Sequence, residues 1–318
     1  MTETPADLPR PARRRSVSIR TFRTIALTAL VVVVIVIITG AAVRLTGSGM
    51  GCDTWPRCTG DDFISFRDPN QTIEQTNRLF SGVASMAVTV VTAIAARRRV
   101  PYRRDLFHWS LALVVGVVGQ MPLGGITVLT HLHPASVAAH FVLSILLLVA
   151  AVVLVWKSRH GDEPATALVD RGSVAASRVG VVLASMLMLS GPALTGTGPN
   201  AGGAEARRFG WFIPDVARVH SLNMWAFLFV VMALSVHLAR SGAPRPVIRG
   251  ATNLLAVIIV QGAIGYAQYW LGIPPLLVVA HIAGAVAVVT ATVWFHLGLY
   301  DTGSEDITSP NDLATVSP

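Results

Sequence analysis

At 318 residues the chain is long enough for two or three soluble domains, yet 53% of it is hydrophobic and only 13% charged, too apolar for that many water-facing surfaces. Its net charge of +8 comes without a basic stripe interleaved with aromatics, which excludes a nucleic-acid footprint and makes membrane lipid the charged partner.

Residues 1–21, rich in Arg, Pro and Thr, read as a disordered cytoplasmic tail. Eight runs free of Asp, Glu, Lys and Arg follow, near 24–43, 79–96, 106–130, 136–156, 179–198, 219–238, 250–272 and 276–299. Each approaches the roughly 20 residues that a helix needs to cross about 30 Å of hydrocarbon. The first run ends in Gly40-Ala41-Ala42 behind an Arg-rich tail, as a cleavable signal peptide would, but it is longer than a usual signal core and reads as a span. Residues 301–318 read as a second disordered tail. The expected fold is all-α and membrane-integral, with eight transmembrane helices.

With the amino terminus inside, 18 of the 25 Lys and Arg residues lie in the cytoplasmic tail and turns, and the opposite orientation reverses that bias. Both termini are therefore expected in the cytoplasm, with the protein in the cell membrane. Cys52 and Cys58 then share an exported loop, where an oxidising compartment favours a disulfide; the alternative is two free thiols.

Helices one to four can be laid over five to eight. Thr46-Gly47-Ser48-Gly49 corresponds to Thr195-Gly196-Thr197-Gly198, and Gln120, Gly124, Pro134 and His140 recur without a gap as Gln261, Gly265, Pro275 and His281. Because four is even, both halves run in the same direction. The expectation is a parallel repeat of two pseudo-symmetric four-helix bundles, 22–157 and 179–300, joined by a cytoplasmic linker at 158–178.

Three of the nine histidines fall inside this plan, His140, His220 and His281, all on even-numbered helices. Ionisable side chains within a membrane are expensive and mark function by default, although a lone histidine also serves as a helix-to-helix hydrogen bond. His220 and His281 share one bundle at matched depth. Two neutral imidazoles can close both axial positions of a porphyrin iron, so the pair reads as a b-type haem site. The counterpart of His220 in the first half is Asn77, a poor iron ligand, which leaves His140 without a matching imidazole and suggests a porphyrin that is a substrate. Glu74, one turn before Asn77, stands where the second half has Ala217. It reads as a base or a stabiliser of positive charge, or as a solvated acid at a helix start. His131 and His133 sit in an outer turn, and His108, His160, His237 and His296 read as interface anchors.

Taken together, the residues resemble the haem A synthase family over roughly residues 45–299. The resemblance rests on Arg44-Leu45-Thr46-Gly47-Ser48-Gly49 leading into Cys52, Trp55, Pro56 and Cys58, on Glu74 with Arg78, on Gly124-Gly125-Ile126-Thr127-Val128-Leu129-Thr130, and on His133-Pro134 with His140. It implies oxidation of a porphyrin methyl of haem O, through an alcohol, to the formyl group of haem A for terminal oxidases. It further implies His220 and His281 as haem b ligands, His140 as a ligand in the substrate half, Glu74 as an essential acid, and Cys52 with Cys58 as an exported pair. The chain departs from the pattern at Asn77, where many members carry a second histidine. Arg78, Arg44 and His133 are expected near the substrate's propionates. Expected partners are haem O, the farnesyltransferase that makes it, and an electron acceptor of unknown identity; the oligomeric state stays open. The competing reading is a quinol-linked di-haem electron carrier that leaves haem unmodified.

Overall fold

The computed structural model describes residues 16–202 and 206–304. The tails expected at 1–21 and 301–318 therefore lie mostly outside the described residues, at 1–15 and 305–318.

Eight helices cross the structure: α1 (Ile19–Leu45), α2 (Pro69–Arg98), α3 (Arg104–Leu129), α4 (Pro134–Lys157), α5 (Arg171–Thr197), α6 (Ile213–Arg240), α7 (Arg245–Trp270) and α8 (Pro275–Leu297). All are long and apolar enough to span a bilayer, and the chain is a multi-pass membrane protein. Several begin before their apolar run because polar caps start them. The side chains of Ser18, Asp68 and Asp170 accept from main-chain N–H groups of the first turns of α1, α2 and α5. Two expected boundaries shift for this reason. Residues 19–21 belong to α1 and not to a tail, and the linker expected at 158–178 ends where Arg171 opens α5. That linker also holds a strand, β1 (Thr166–Ala167), paired antiparallel with β2 (Tyr300–Asp301), a clip that the apolar pattern does not announce.

Helices α1 to α4 pack as a closed ring, each against the next and α4 back onto α1, and α5 to α8 do the same. The rings meet along α4, which touches α5 and α8, and along α1 with α8. This seam explains why nearly every residue of α4 from Leu147 to Trp156 is buried.

The repeat extends to backbone detail. Leu132 N donates to Thr127 O at 2.8 Å and Ile273 N to Gln268 O at 2.7 Å, equivalent bonds closing the ends of α3 and α7. Leu132 and Ile273 both adopt positive φ, at 52° and 61°. A left-handed residue that is bulky, as Leu132 is, or β-branched, as Ile273 is, is a steric outlier, held here because the turn into each following helix fixes it.

Candidate functional site

The α1–α2 loop, the α3–α4 and α7–α8 turns and the segments 198–202 and 206–212 gather at one end, the disulfide end. The start of α1, the end of α8 and the clip lie at the other, where Arg103, 4% exposed, ties the α2–α3 turn to Asp105 and to the carbonyls of Lys157 and Gly161.

In the second ring His220 (α6) and His281 (α8) face each other with ring centroids 6.4 Å apart. With metal–nitrogen bonds of about 2 Å and ring centres roughly 1 Å behind each nitrogen, two axial imidazoles on one metal stand about 6 Å apart. The centroid spacing of the pair, with ring planes inclined by 63°, therefore matches that of two imidazoles on a single iron. The Ser190 hydroxyl of α5 is 2.8 Å from His220 Nδ1. If Nδ1–H donates to it, Nε2 is left free for a metal, the orienting arrangement that ligating histidines use. Gln261 of α7 lies 3.1 Å from His281 Nδ1 and donates to the His281 carbonyl at 2.8 Å. Neither Ser190 nor Gln261 was singled out as a ligand partner from sequence; the gap-free Gln261–His281 spacing was the available signal for one of them.

The first ring keeps half of this plan. Gln120 of α3 donates to the His140 carbonyl at 3.2 Å, as Gln261 does to that of His281. Each histidine ring also lies on a glycine of the preceding helix. A Cβ on Gly124 would stand 3.3 Å from His140 Cε1, and one on Gly265 would stand 3.0 Å from His281 Cε1. The difference is Ser144, which takes the Gln120 amide at 2.8 Å where the second half has Ala285. His140 Nδ1 and Asn77 Oδ1 are both buried without a hydrogen-bond partner.

Above this ring sits the disulfide loop. Cys52 and Cys58 are bonded and both are fully buried, so of the two readings open from sequence the disulfide holds. Glu74, 5% exposed, anchors the loop: Oε2 accepts from Cys52 N at 2.9 Å, and Oε1 from Arg78 Nε at 3.0 Å and Nη2 at 2.5 Å. Arg78 in turn donates to the carbonyls of Cys52 and Thr54, both at 3.1 Å. Of the readings open to Glu74, a solvated acid does not survive its burial. The Trp55 ring presses onto Gly125 of α3, where an added Cβ would come within 2.5 Å of it. Arg44 bonds Ala201 O of the second ring's loop at 2.9 Å while its Nε is buried without a partner, and His133 caps α4 by accepting from Ala135 N at 3.3 Å.

Three of the five remaining histidines are engaged elsewhere. His160 stacks on Trp156, His237 pairs with Asp170, and His296 is 2.9 Å from the Ser177 hydroxyl.

Comparison with known proteins follows the same lines. The chain is 35% identical to a haem A synthase of Alkalihalophilus pseudofirmus over 119 residues, 37% of this chain and 40% of that protein. It is 28% identical to one of Bacillus pumilus over 133 residues, 42% and 43% of the two chains, and 31% identical to one of Bacillus cereus over 119 residues, 37% and 38%. These matches span about two-fifths of each relative's length. A family model described as cytochrome oxidase assembly protein matches residues 23–69 and 63–198, more than half of the chain. The chain belongs to the haem A synthase family. The match to the family model takes in Cys52, Cys58, Glu74, Asn77, Arg78 and His140, and ends before His220 and His281. Within the haem A synthase family, then, the reading of the second ring of this chain rests on its own geometry and on the internal repeat.

Proposed function

We propose that this chain is a membrane oxidoreductase that converts a porphyrin methyl of haem O, through an alcohol, to the formyl group of haem A. In this reading the second ring holds a haem b that passes the electrons on. The observation that carries it is the asymmetry within the repeat: one ring has a histidine pair with the spacing of axial ligands, the other has His140 with Asn77 at the repeat position of the second histidine, and neither His140 Nδ1 nor Asn77 Oδ1 has a partner. A matched pair suits a resident electron carrier, and a half-furnished ring suits a porphyrin that must enter and leave.

A haem held between His220 and His281 would supply reversible one-electron transfer. In the first ring His140 binds the substrate iron and Asn77 faces it, while Arg78 and His133 stand at the propionate end with Arg44. Glu74 keeps a negative charge at the mouth of this ring. Both of its oxygens already accept hydrogen bonds, which favours stabilisation of positive charge developing on the substrate over proton abstraction. The basic bias places the disulfide end outside and the termini in the cytoplasm, so that propionates reach the outer surface of the cell membrane. A farnesyltransferase producing haem O is the partner this substrate implies, and the electrons leave to an acceptor at the membrane.

The test is extraction of haem from membranes supplied with haem O, with and without this chain. Haem A is expected only with it. Equal haem A in both would overturn the proposal in favour of a di-haem electron carrier.

A further inference from the structure

We infer that His140 is the sole protein ligand to the iron in the first ring, and that the Asn77 carboxamide faces the opposite side as hydrogen-bond acceptor for a bound water. The inference rests on the function proposed above and goes beyond it by naming how the substrate is ligated.

Three observations carry it. First, the repeat that pairs His140 with His281 pairs Asn77 with His220, and a carboxamide oxygen is a poor partner for haem iron compared with an imidazole. Second, the shell that would hold a second imidazole is missing as well. Ser190, which orients His220, aligns through the Leu-Thr-Gly segments of α1 and α5 with Ala41. The hydroxyl that orients the second ring's α6 imidazole is thus replaced by a methyl along with the imidazole itself, so Asn77 is one part of a ring built without a second axial histidine. Third, Asn77 Oδ1 is buried with no partner, a state that native structures resolve with a ligand or a water. Oδ1 is an acceptor only. In this rotamer a group that carries a proton to donate satisfies it, which a water has and a bare dioxygen lacks.

The two rings should accordingly differ towards small ligands. The pair His220 and His281 leaves no iron position open, whereas His140 alone leaves one. Ser144 strengthens the contrast by drawing the Gln120 amide away, so that His140 Nδ1 has no partner and the first-ring imidazole is the less firmly held of the two.

The experiment uses the full chain carrying its haem b, loaded with ferric haem O, and reads spin state, cyanide binding and carbon monoxide binding after reduction. One high-spin haem per chain that takes up cyanide and carbon monoxide is expected beside an unreactive low-spin haem b. Asn77→Leu should keep the haem and the open position but bind cyanide about tenfold faster, because the displaced water has lost a hydrogen bond. Asn77→His combined with Ala41→Ser should yield a second low-spin haem that refuses carbon monoxide. An intact haem b spectrum in each variant reports the fold. If the loaded wild-type haem is low-spin and refuses both ligands, a second protein ligand exists and the inference falls while the proposed function stands. Unchanged cyanide kinetics in Asn77→Leu would remove the role of Asn77. Failure of haem O to bind the first ring at all would overturn the proposed function itself.

Discussion

Glu74→Gln separates the two things the carboxylate does. The side chains of Glu74 and Arg78 are 7% and 21% exposed, and removing one charge from such a pair leaves the other uncompensated. Breaking a fully buried pair costs about 3–5 kcal/mol. Arg78 keeps the carbonyls of Cys52 and Thr54 and some contact with solvent, and glutamine can still accept from Cys52 N, so the cost here is nearer 2–3 kcal/mol, discounted from that range. A loss of that size raises the opening equilibrium of the disulfide loop roughly 30- to 150-fold. Amide hydrogen exchange over residues 51–67 in lipid nanodiscs reads that change directly, with the haem b spectrum as a control for the second ring. Haem A formation per folded molecule should drop about 100- to 1,000-fold if the charge stabilises the substrate. Exchange at the wild-type rate would refute the anchoring argument. Haem A at the wild-type rate would leave Glu74 as a loop anchor alone.

Other outcomes follow from the same contacts. His220→Ala or His281→Ala should each abolish the low-spin b-type spectrum, and a preserved spectrum in either would move that haem elsewhere. Gly265→Ala sets a methyl 3.0 Å from the His281 ring and should displace it, weakening haem b retention, whereas Gly124→Ala should spare haem b and impair only the first ring; equal effects on haem b would contradict this division. Gly125→Ala should expel Trp55 and expose the loop to protease, which a digestion time course would reveal. Because Cys52 and Cys58 are bonded, alkylation of native membranes should label neither, and because both are fully buried, reductant should open the bond readily only after unfolding; labelling of the folded protein after brief mild reduction would show the loop to be open.

The sequence by itself determined the eight spans, their common direction in the two halves and the histidines that stand at equivalent depths. Those properties are local or periodic: an apolar run of fixed length, a cap ahead of it, a spacing repeated along the chain. The Gln–Gly–Pro–His spacing foretold that His140 and His281 would sit alike, and both do lie on a glycine of the preceding helix. What answers each of them across an interface was not legible, because partners from distant segments meet only when helices pack. Ser190 against His220, Ala201 against Arg44, Trp55 against Gly125, and the strand clip between 166–167 and 300–301 belong to that class. Glu74 shows the distinction most clearly. Its place one turn before Asn77 marked it as unusual, yet whether that charge meets water, substrate or protein was decided by a loop that folds back 22 residues earlier in the chain to set the Cys52 amide on its carboxylate.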